Sequence, residues 1–379
     1  MKVALVIDDS LDSPDGVQQI VRHIGRFLTG RGHEVHYLTS HSERTDGRTH
    51  SLARLLRLRF NGNRIGIPLP APTRRVREVL ARERFDLVHV AIPYSPALAG
   101  RIIRRLPPAT PLVGTFMILP LSATSRWGGK LLGLWQRRQA RRFSALTALS
   151  PPADEFCRFM YGRPALPIGS PVHLDPFLAA RRAAGPASGP ARIVFLGRLV
   201  ERKGALALLR ALARVREFTS GPFRAEIAGT GPLEGSLRQF ARDNDLQEVV
   251  SFTGYVPEEA KADLLASADI IALPSLGGES FGISVVEALA AGRGAVLVGN
   301  NPGYASTVGE VRECLIDPSD PVAFARRLAE LIDDPAQRER MSRAQVHRAR
   351  DFDPEVVGEK LLAVYREAIT TTPPEGGHA

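Results

Sequence analysis

The chain has little with which to build a disulfide, a membrane span or an aromatic platform. Its 379 residues include two cysteines, Cys157 and Cys314, far apart in sequence. No disulfide framework is expected, and a reducing cytoplasm suits such a chain. No apolar run approaches the roughly 20 residues that cross a bilayer. The opening Met1-Lys2-Val3-Ala4-Leu5-Val6-Ile7-Asp8 meets acid at once and reads as a first strand, not as a secretory signal. Lysine is rare too: five Lys accompany 45 Arg. Acid is almost missing from residues 51–150, where 18 basic groups face three acidic ones.

That last shortage is one-sided. Residues 1–190 hold 28 Arg or Lys against 13 Asp or Glu, whereas the rest hold 22 against 27. An arginine-rich composition explains the choice of residue but not its placement. The asymmetry points to an anionic partner for the first half, a membrane surface or a phosphorylated acceptor. No aromatic platform or helix-turn-helix pattern accompanies the charge, so nucleic acid is not expected.

What is present is a soluble globular composition, 44% apolar and 24% charged, long enough for two cores. Short β-branched runs alternate with helical patterns, as in a parallel α/β sheet. One strand series is Val3–Ile7, Val35–Thr39, Leu87–Ile92, Leu112–Phe116 and Ala145–Leu149. A second is Ile193–Leu196, Ala225–Ala228, Val249–Thr253, Ile270–Leu273 and Ala295–Val298. The expected architecture is two Rossmann-like doubly wound domains, 1–178 and 191–352, facing across a cleft. The Ala-, Gly-, Pro- and Arg-rich stretch 179–190 reads as their linker. A helix at 353–370 is expected to pack back on the first domain, with a flexible tail at 371–379.

In such sheets ligands bind beyond the carboxyl ends of the strands. The richest loop there is Gly277-Gly278-Glu279-Ser280-Phe281-Gly282, which opens a helix carrying Glu287. Its glycines let a ligand approach the backbone, and the first helical turn offers N–H groups. Glu279 is suited to accept hydrogen bonds from sugar hydroxyls and Glu287 to hold a ribose diol. The bland alternative for Glu279 is a favourable charge at a helix start. Next comes Gly197-Arg198-Leu199-Val200-Glu201-Arg202-Lys203-Gly204, after the strand Ile193–Leu196. Here Arg198 and Lys203 would flank a pyrophosphate, and Arg202 reads as a solvated bystander. Ser13-Pro14-Asp15-Gly16-Val17-Gln18 enters an amphipathic helix, with Gly16 able to bring backbone N–H groups to a phosphate. Gly229-Thr230-Gly231-Pro232 reads as a tight turn. Asp243-Asn244-Asp245 and Asp351-Phe352-Asp353 match a metal-binding D-x-D but sit at helix ends, where Asp serves caps. The nine His show no ligand spacing, so no metal site and no cofactor is expected beyond the sugar donor.

Taken together these loops resemble the retaining family-four glycosyltransferases of the GT-B fold, over nearly the whole chain. In motif they are most similar to the phosphatidyl-myo-inositol mannosyltransferases, through Gly-Gly-Glu-Ser-Phe-Gly, Pro14-x-Gly16-Val17-Gln18 and Asn61-Gly62. The resemblance implies a hexosyltransferase using a GDP-mannose or UDP-glucose type of donor without a metal. Glu279, Arg198 and Lys203 would be its catalytic groups, Glu279 contacting the donor sugar with the backbone at Ser280, Phe281 and Gly282 assisting. Glu287 would hold the ribose, Gly16, Arg198 and Lys203 the diphosphate, and Val256 and Lys261 the base, with Gly197 also among the donor-binding residues. Asp9, Gln18, Asn61 and Met117 fall at acceptor positions. There the chain departs from the pattern. Met117 replaces the family's His, Asp9 an aromatic residue, Ile118-Leu119-Pro120-Leu121 a polar and basic stretch, and Pro167-Ile168-Gly169-Ser170-Pro171 a Pro-Asn-Gly segment. A nucleotide-sugar-binding protein with little or no transfer is therefore a second reading.

A membrane face is also expected. The segment Trp127–Phe143 holds both tryptophans and five basic groups, including Arg137 and Arg138. Arg74, Arg75 and Arg77 form a second basic patch, placed where the resembling enzymes meet membrane. The alternative is an ordinary surface helix with its apolar side on the sheet. The expected location is the cytoplasm, peripheral on the inner face of the cell membrane.

Overall fold

The computed structural model describes every residue except 13–14, 54, 61–62, 69–70, 121, 186–188 and 373–379, and leaves the side chains of 55–60 and 63–68 undescribed. Two compact units result. One comprises Met1–Phe60, Arg64–Val172 and the C-terminal residues from Asp353, the other His173–Phe352.

The first unit is a seven-stranded parallel sheet. Its spatial order is Thr49–Ser51, Glu34–His41, Lys2–Ser10, Leu87–Val90, Leu112–Phe116, Ala145–Ala148, Leu166–Pro167. The unbroken apolar run at the N-terminus becomes its central strand because both faces are covered: Val3 to Ile7 are at most 2% exposed. The helix Gly16–Gly30 lays Ile20, Val21, Ile24 and Leu28 on the sheet. A separate two-stranded sheet, Leu55–Phe60 with Asn63–Pro68, was not foreseen. Asn61 and Gly62 themselves lie outside the described residues.

The helix Pro354–Thr371, capped by Asp353, belongs to this first unit although it follows the second in sequence. Gly358 has the Phe27 ring against it, so close that a Cβ would stand 2.4 Å from it. Tyr365 is fully buried on His89 of the strand Leu87–Val90, its hydroxyl 2.6 Å from Nδ1. The other imidazole nitrogen meets Thr115 Oγ1 at 2.6 Å, and Thr115 meets Thr147 at 2.7 Å. This polar thread ties three strands and the last helix through one neutral ring.

The second unit is a six-stranded parallel sheet in the order Val250–Gly254, Phe223–Ala228, Ala191–Leu196, Ile270–Leu273, Ala295–Gly299, Leu315–Ile316. The strand order reverses between Ala191–Leu196 and Ile270–Leu273, so the loops after these two strands diverge and leave a crevice. The stretch read as a linker, 179–190, begins inside a helix of this unit, Asp175–Ala183. That helix buries Phe177 and Ala180, and the Arg181 guanidinium donates to the Gly292 carbonyl. Alanine and arginine serve a packed helix as well as a connector. The chain passes between units at Val172 and His173. Both cysteines are buried and free, with burial pushing each thiol up to about 12.

Candidate active site

Three loops at the carboxyl edge of the second sheet are stitched together by backbone. Gly204, with φ of 76°, lies so close to the Pro274 carbonyl that a Cβ would stand 1.9 Å from its oxygen. The Leu276 amide donates to the Arg202 carbonyl at 2.8 Å, fixing the loop 197–204 against the loop 274–282. The third loop follows Ala295–Gly299. Asn301 accepts from the Tyr304 amide at 3.0 Å as a helix cap, and its Nδ2 donates to the Ser275 carbonyl at 3.1 Å. Gly303 lies where a Cβ would be 1.8 Å from the Glu279 carbonyl oxygen. Glycine at 204 is therefore required twice, by its φ and by its neighbour. Gly204→Ala is expected to destabilise the chain by about 1–3 kcal/mol. A urea titration of both proteins checks this, and equal midpoints would refute the packing argument.

This stitching brings charge together. Glu279 Oε1 accepts from Lys203 Nζ at 2.9 Å and from Arg202 Nη1 at 2.5 Å, with Ser275 Oγ 3.2 Å away. Arg202 is thus no solvated bystander: the 3-10 turn Glu201–Lys203 turns its side chain onto the carboxylate. Burial alone would push the Lys203 ammonium down. The Tyr304 hydroxyl and the Glu279 carboxylate outweigh that, so it is raised and stays charged. Tyr304, 1% exposed, was missed in the sequence. Its only signal was Asn-Pro-Gly after a strand, which reads as a plain helix start. Arg198 is exposed on the turn after Ala191–Leu196. That turn is held by Gly229 and Gly231, where a Cβ would stand 1.9 Å from the Gly197 carbonyl oxygen and 2.4 Å from that of Leu199. The tight turn 229–232 therefore shapes the arginine loop.

A second charged pair lies deeper. Glu287, in the helix Ile283–Ala291, has only 4% of its side chain exposed and accepts from Lys261 Nζ at 2.9 Å. Burial pushes this carboxyl up to about 7 despite the ammonium beside it. Lys261 also meets Glu258 at 2.7 Å. Val256 is half-buried at the start of this segment. In the Gly-rich loop Ser280 is half-buried, Phe281 lies edge-on to Phe352, and the Gly282 amide donates to Thr307 Oγ1 at 3.2 Å. Cations, carboxylates and main-chain donors of this kind suit a polyhydroxylated anionic ligand.

The residues foreseen in the first unit are less concentrated. Asp9 accepts from Gln18 Nε2 at 3.0 Å, so the position of the family's stacking ring carries a hydrogen-bonded pair. Gly16 is exposed, with open space where a Cβ would be, at the N-terminus of its helix. Met117 is 4% exposed, just past Leu112–Phe116. Asn61 lies outside the described residues. Of the D-x-D matches, Asp353 caps a helix and Asp351 pairs with Arg348 at 2.7 Å. The fold does assemble one grouping that spacing could not reveal. His36, His50 and Glu83 place ligand atoms within 4.8 Å of one another. Its carboxylate already accepts from Lys2 at 2.7 Å and Arg82 at 2.8 Å, and these cations hold it down at about 2.

The expected membrane segment has an unusual packing. The helix Ala123–Trp135 turns its small residues inward: a Cβ on Gly133 would stand 2.1 Å from the Met160 carbonyl oxygen, and one on Gly129 2.7 Å from Phe156. Its large residues face out, with Trp127, Leu131, Leu134 and Trp135 between 53% and 69% exposed. Arg137 and Arg138 follow, both exposed. The alternative of an apolar side docked on the sheet is not what forms. Arg74, Arg75 and Arg77 are exposed on the helix Thr73–Glu83, Arg74 pairing with Glu78. Among the described residues no helix is long and apolar enough to cross a membrane.

Two family models match the chain, Glycosyltransferase Family 4 over residues 14–169 and Glycosyl transferases group 1 over 178–348. The phosphatidyl-myo-inositol mannosyltransferase of Mycobacterium leprae is 30% identical over 380 residues, 98% of each chain. That of Mycobacterium tuberculosis strain H37Rv is 30% identical over 381 residues, 96% of each. Among solved structures, the sucrose-phosphate synthase of Thermosynechococcus elongatus superposes with a TM-score of 0.76 at 18% identity, covering 97% of this chain and 99% of that one. Anabaena HepE in complex with UDP-glucose gives 0.71 at 18% identity, with the same coverage. Two doubly wound parallel sheets, a cation-lined Gly-rich site and near-complete similarity lead to one conclusion: the chain belongs to the family-four glycosyltransferases of the GT-B fold.

Proposed function

We propose that this glycosyltransferase, which acts on a nucleotide sugar, is a retaining, metal-independent enzyme. It moves a hexose, mannose or glucose, from a nucleotide-diphosphate donor to a lipid-linked or membrane-proximal acceptor. The observation that carries this reading is the convergence of Arg202 and Lys203 on Glu279 at the reversal point of the second sheet. A diphosphate arriving there exchanges one anionic partner for another, and the cations that compensated the carboxylate compensate the leaving group. Arg198 and Lys203 then supply the charge that a divalent ion supplies elsewhere. Glu279, freed in part, accepts from the hexose hydroxyls, with the backbone at Ser280–Gly282 beside it. Glu287 and Lys261 meet the ribose and the base, with Val256. As the C–O bond to the diphosphate breaks, the departing phosphate oxygen accepts the proton of the incoming hydroxyl. The new bond forms on the same face of the sugar.

The relatives are named for phosphatidyl-myo-inositol, which makes that lipid the first acceptor to try. An outward Trp127, Leu131, Leu134 and Trp135, followed by Arg137 and Arg138, supports peripheral attachment to anionic lipid. Arg74, Arg75 and Arg77 add charge.

The test is sugar transfer from GDP-mannose and UDP-glucose onto vesicles containing phosphatidylinositol, with and without EDTA. Transfer unchanged by the chelator, with the donor's anomeric configuration kept in the product, is the expected result. A requirement for a divalent ion, or an inverted product, would overturn the reading. Donor binding with no transfer to any acceptor would favour the binding protein that Met117 raises.

A further inference from the structure

A cavity of about 620 Å³ opens on the first unit where the helices Leu98–Ile103 and Arg137–Ala140 end. Its lining includes three arginines, Arg104, Arg138 and Arg142, with Gln139 and Trp135. Arginines so placed normally have carboxylates among them. Here none occurs in the sequence between Asp86 and Asp154, and among the described residues none of the three arginines takes part in an ion pair. Arg142 is turned inward: its Nη2 donates to the Pro107 carbonyl at 3.0 Å, while its Nε is buried with no partner among the described residues. Among the described residues Gln139 Nε2 is also buried without one, and its Oε1 accepts a long 3.4 Å bond from Arg104. A buried donor left unmatched costs roughly 1–3 kcal/mol, and both of these belong to residues that line the cationic cavity.

The acceptor's chemistry follows from the donors. Planar guanidinium forks match the oxygens of a phosphate two at a time, and the cavity's size suits a small headgroup. One wall is the Trp135 indole, 69% exposed, on the helix whose Leu131, Leu134 and Trp127 also face outward. A ligand with its phosphate inside would have its next atoms against that apolar face. We infer that this cavity binds the phosphodiester headgroup of an anionic phospholipid, with Arg104, Arg138 and Arg142 holding the phosphate and Trp135 covering the glycerol. The assignment rests on the membrane reading above and gives it a stereospecific anchor, separate from the sugar-donor loops. Diffuse attraction needs only net charge, whereas this site counts headgroups one at a time.

Trp127→Phe leaves Trp135 as the sole tryptophan and makes the cavity its own reporter. This protein is titrated with dihexanoyl phosphatidylglycerol below its micelle concentration, with dihexanoyl phosphatidylcholine, and with inorganic phosphate. A saturable change in Trp135 emission with phosphatidylglycerol is expected, with inorganic phosphate at least ten-fold weaker and phosphatidylcholine silent. Arg104→Gln with Arg138→Gln, checked for unchanged circular dichroism, should weaken that titration at least ten-fold. It should also weaken binding to phosphatidylglycerol vesicles. Leu131→Ser with Leu134→Ser should lose vesicle binding yet keep the monomer titration. Equal responses to the two lipids, or a double-arginine variant that titrates like its parent, would overturn the site. Inorganic phosphate binding as tightly as phosphatidylglycerol would overturn the lipid assignment. Saturation by lipid monomer without any vesicle binding would sink the membrane reading while leaving the headgroup site standing.

Discussion

Lys203→Ala removes half or more of the thermal stabilisation that a nucleoside diphosphate gives the parent protein. Lys203 is a charged ammonium in a largely buried place, kept charged by Glu279 at 2.9 Å and by the Tyr304 hydroxyl. A charge-assisted hydrogen bond is worth about 1.5–3 kcal/mol, so its loss weakens a diphosphate by roughly ten- to more than one-hundred-fold. A ligand at 100 times its dissociation constant stabilises the parent by about 2.7 kcal/mol. At that concentration the variant sits between about one and ten times its own constant and gains roughly 0.4–1.4 kcal/mol. Melting curves with GDP, UDP and their sugars read this directly, each protein against its own ligand-free curve. Arg202 remains on Glu279 in the variant, so the carboxylate keeps a cation and the loop keeps a reason to fold. A variant whose midpoint rises as far as the parent's would remove the diphosphate from this loop, and with it the proposed handling of the leaving group.

How much of this was visible in the chain depends on what kind of signal a residue leaves. Buried parallel strands are apolar on both faces, so their runs stand out, and all ten foreseen strands occur within a few residues. The glycines of the loops 197–204 and 229–232 stood out because at Gly204, Gly229 and Gly231 a Cβ would lie 1.9–2.4 Å from a neighbouring carbonyl oxygen, which permits no side chain. Glu279 and Lys203 were legible as chemistry on such loops. Arg202 was not, because periodicity says nothing about where a 3-10 turn aims a side chain. Tyr304 escaped for a related reason: it reaches Lys203 from a third loop a hundred residues on, and sequence carries no mark of that contact. The 179–190 stretch misled because its Ala and Arg suit both a connector and a helix packed on Gly292. His36 and His50 meet through the pairing of their strands, and Glu83 reaches them from the end of the helix Thr73–Glu83, so tertiary packing alone assembles them.

The outward tryptophans belong to the same lesson. Trp127, Leu131 and Leu134 recur at helical spacing, which on most helices marks the face turned to the core. Gly129 and Gly133 decide otherwise here, since only they permit the helix to lie on Met160 and Phe156. Small residues claim the buried face, and bulky ones are left outside. Helical spacing of the bulky residues left both an outward face and a docked one open, and backbone clearance at Gly129 and Gly133 decides for the outward one.

Acid should unfold the first unit through His89. The ring is fully buried between Tyr365 and Thr115, and burial pushes it down to about 3. In the unfolded chain the same group titrates near 6.5. The folded state therefore holds fewer protons than the unfolded state between those values. Stability contributed by the neutral ring is complete above pH 6.5 and is lost as pH falls towards 3. The slope approaches about 1.4 kcal/mol per pH unit, and the whole loss is on the order of 5 kcal/mol. His50 and His33 are also held down by burial and add the same sign, so the parent's slope alone does not isolate His89. His89→Gln removes the titration while keeping a donor and an acceptor between Thr115 and Tyr365. Urea titrations from pH 7 to pH 4 should show the variant less stable at pH 7 and flatter with pH, by about one proton. Parallel curves would mean that the ring takes up its proton in place, and that the thread from Thr147 to the last helix is not what acid breaks.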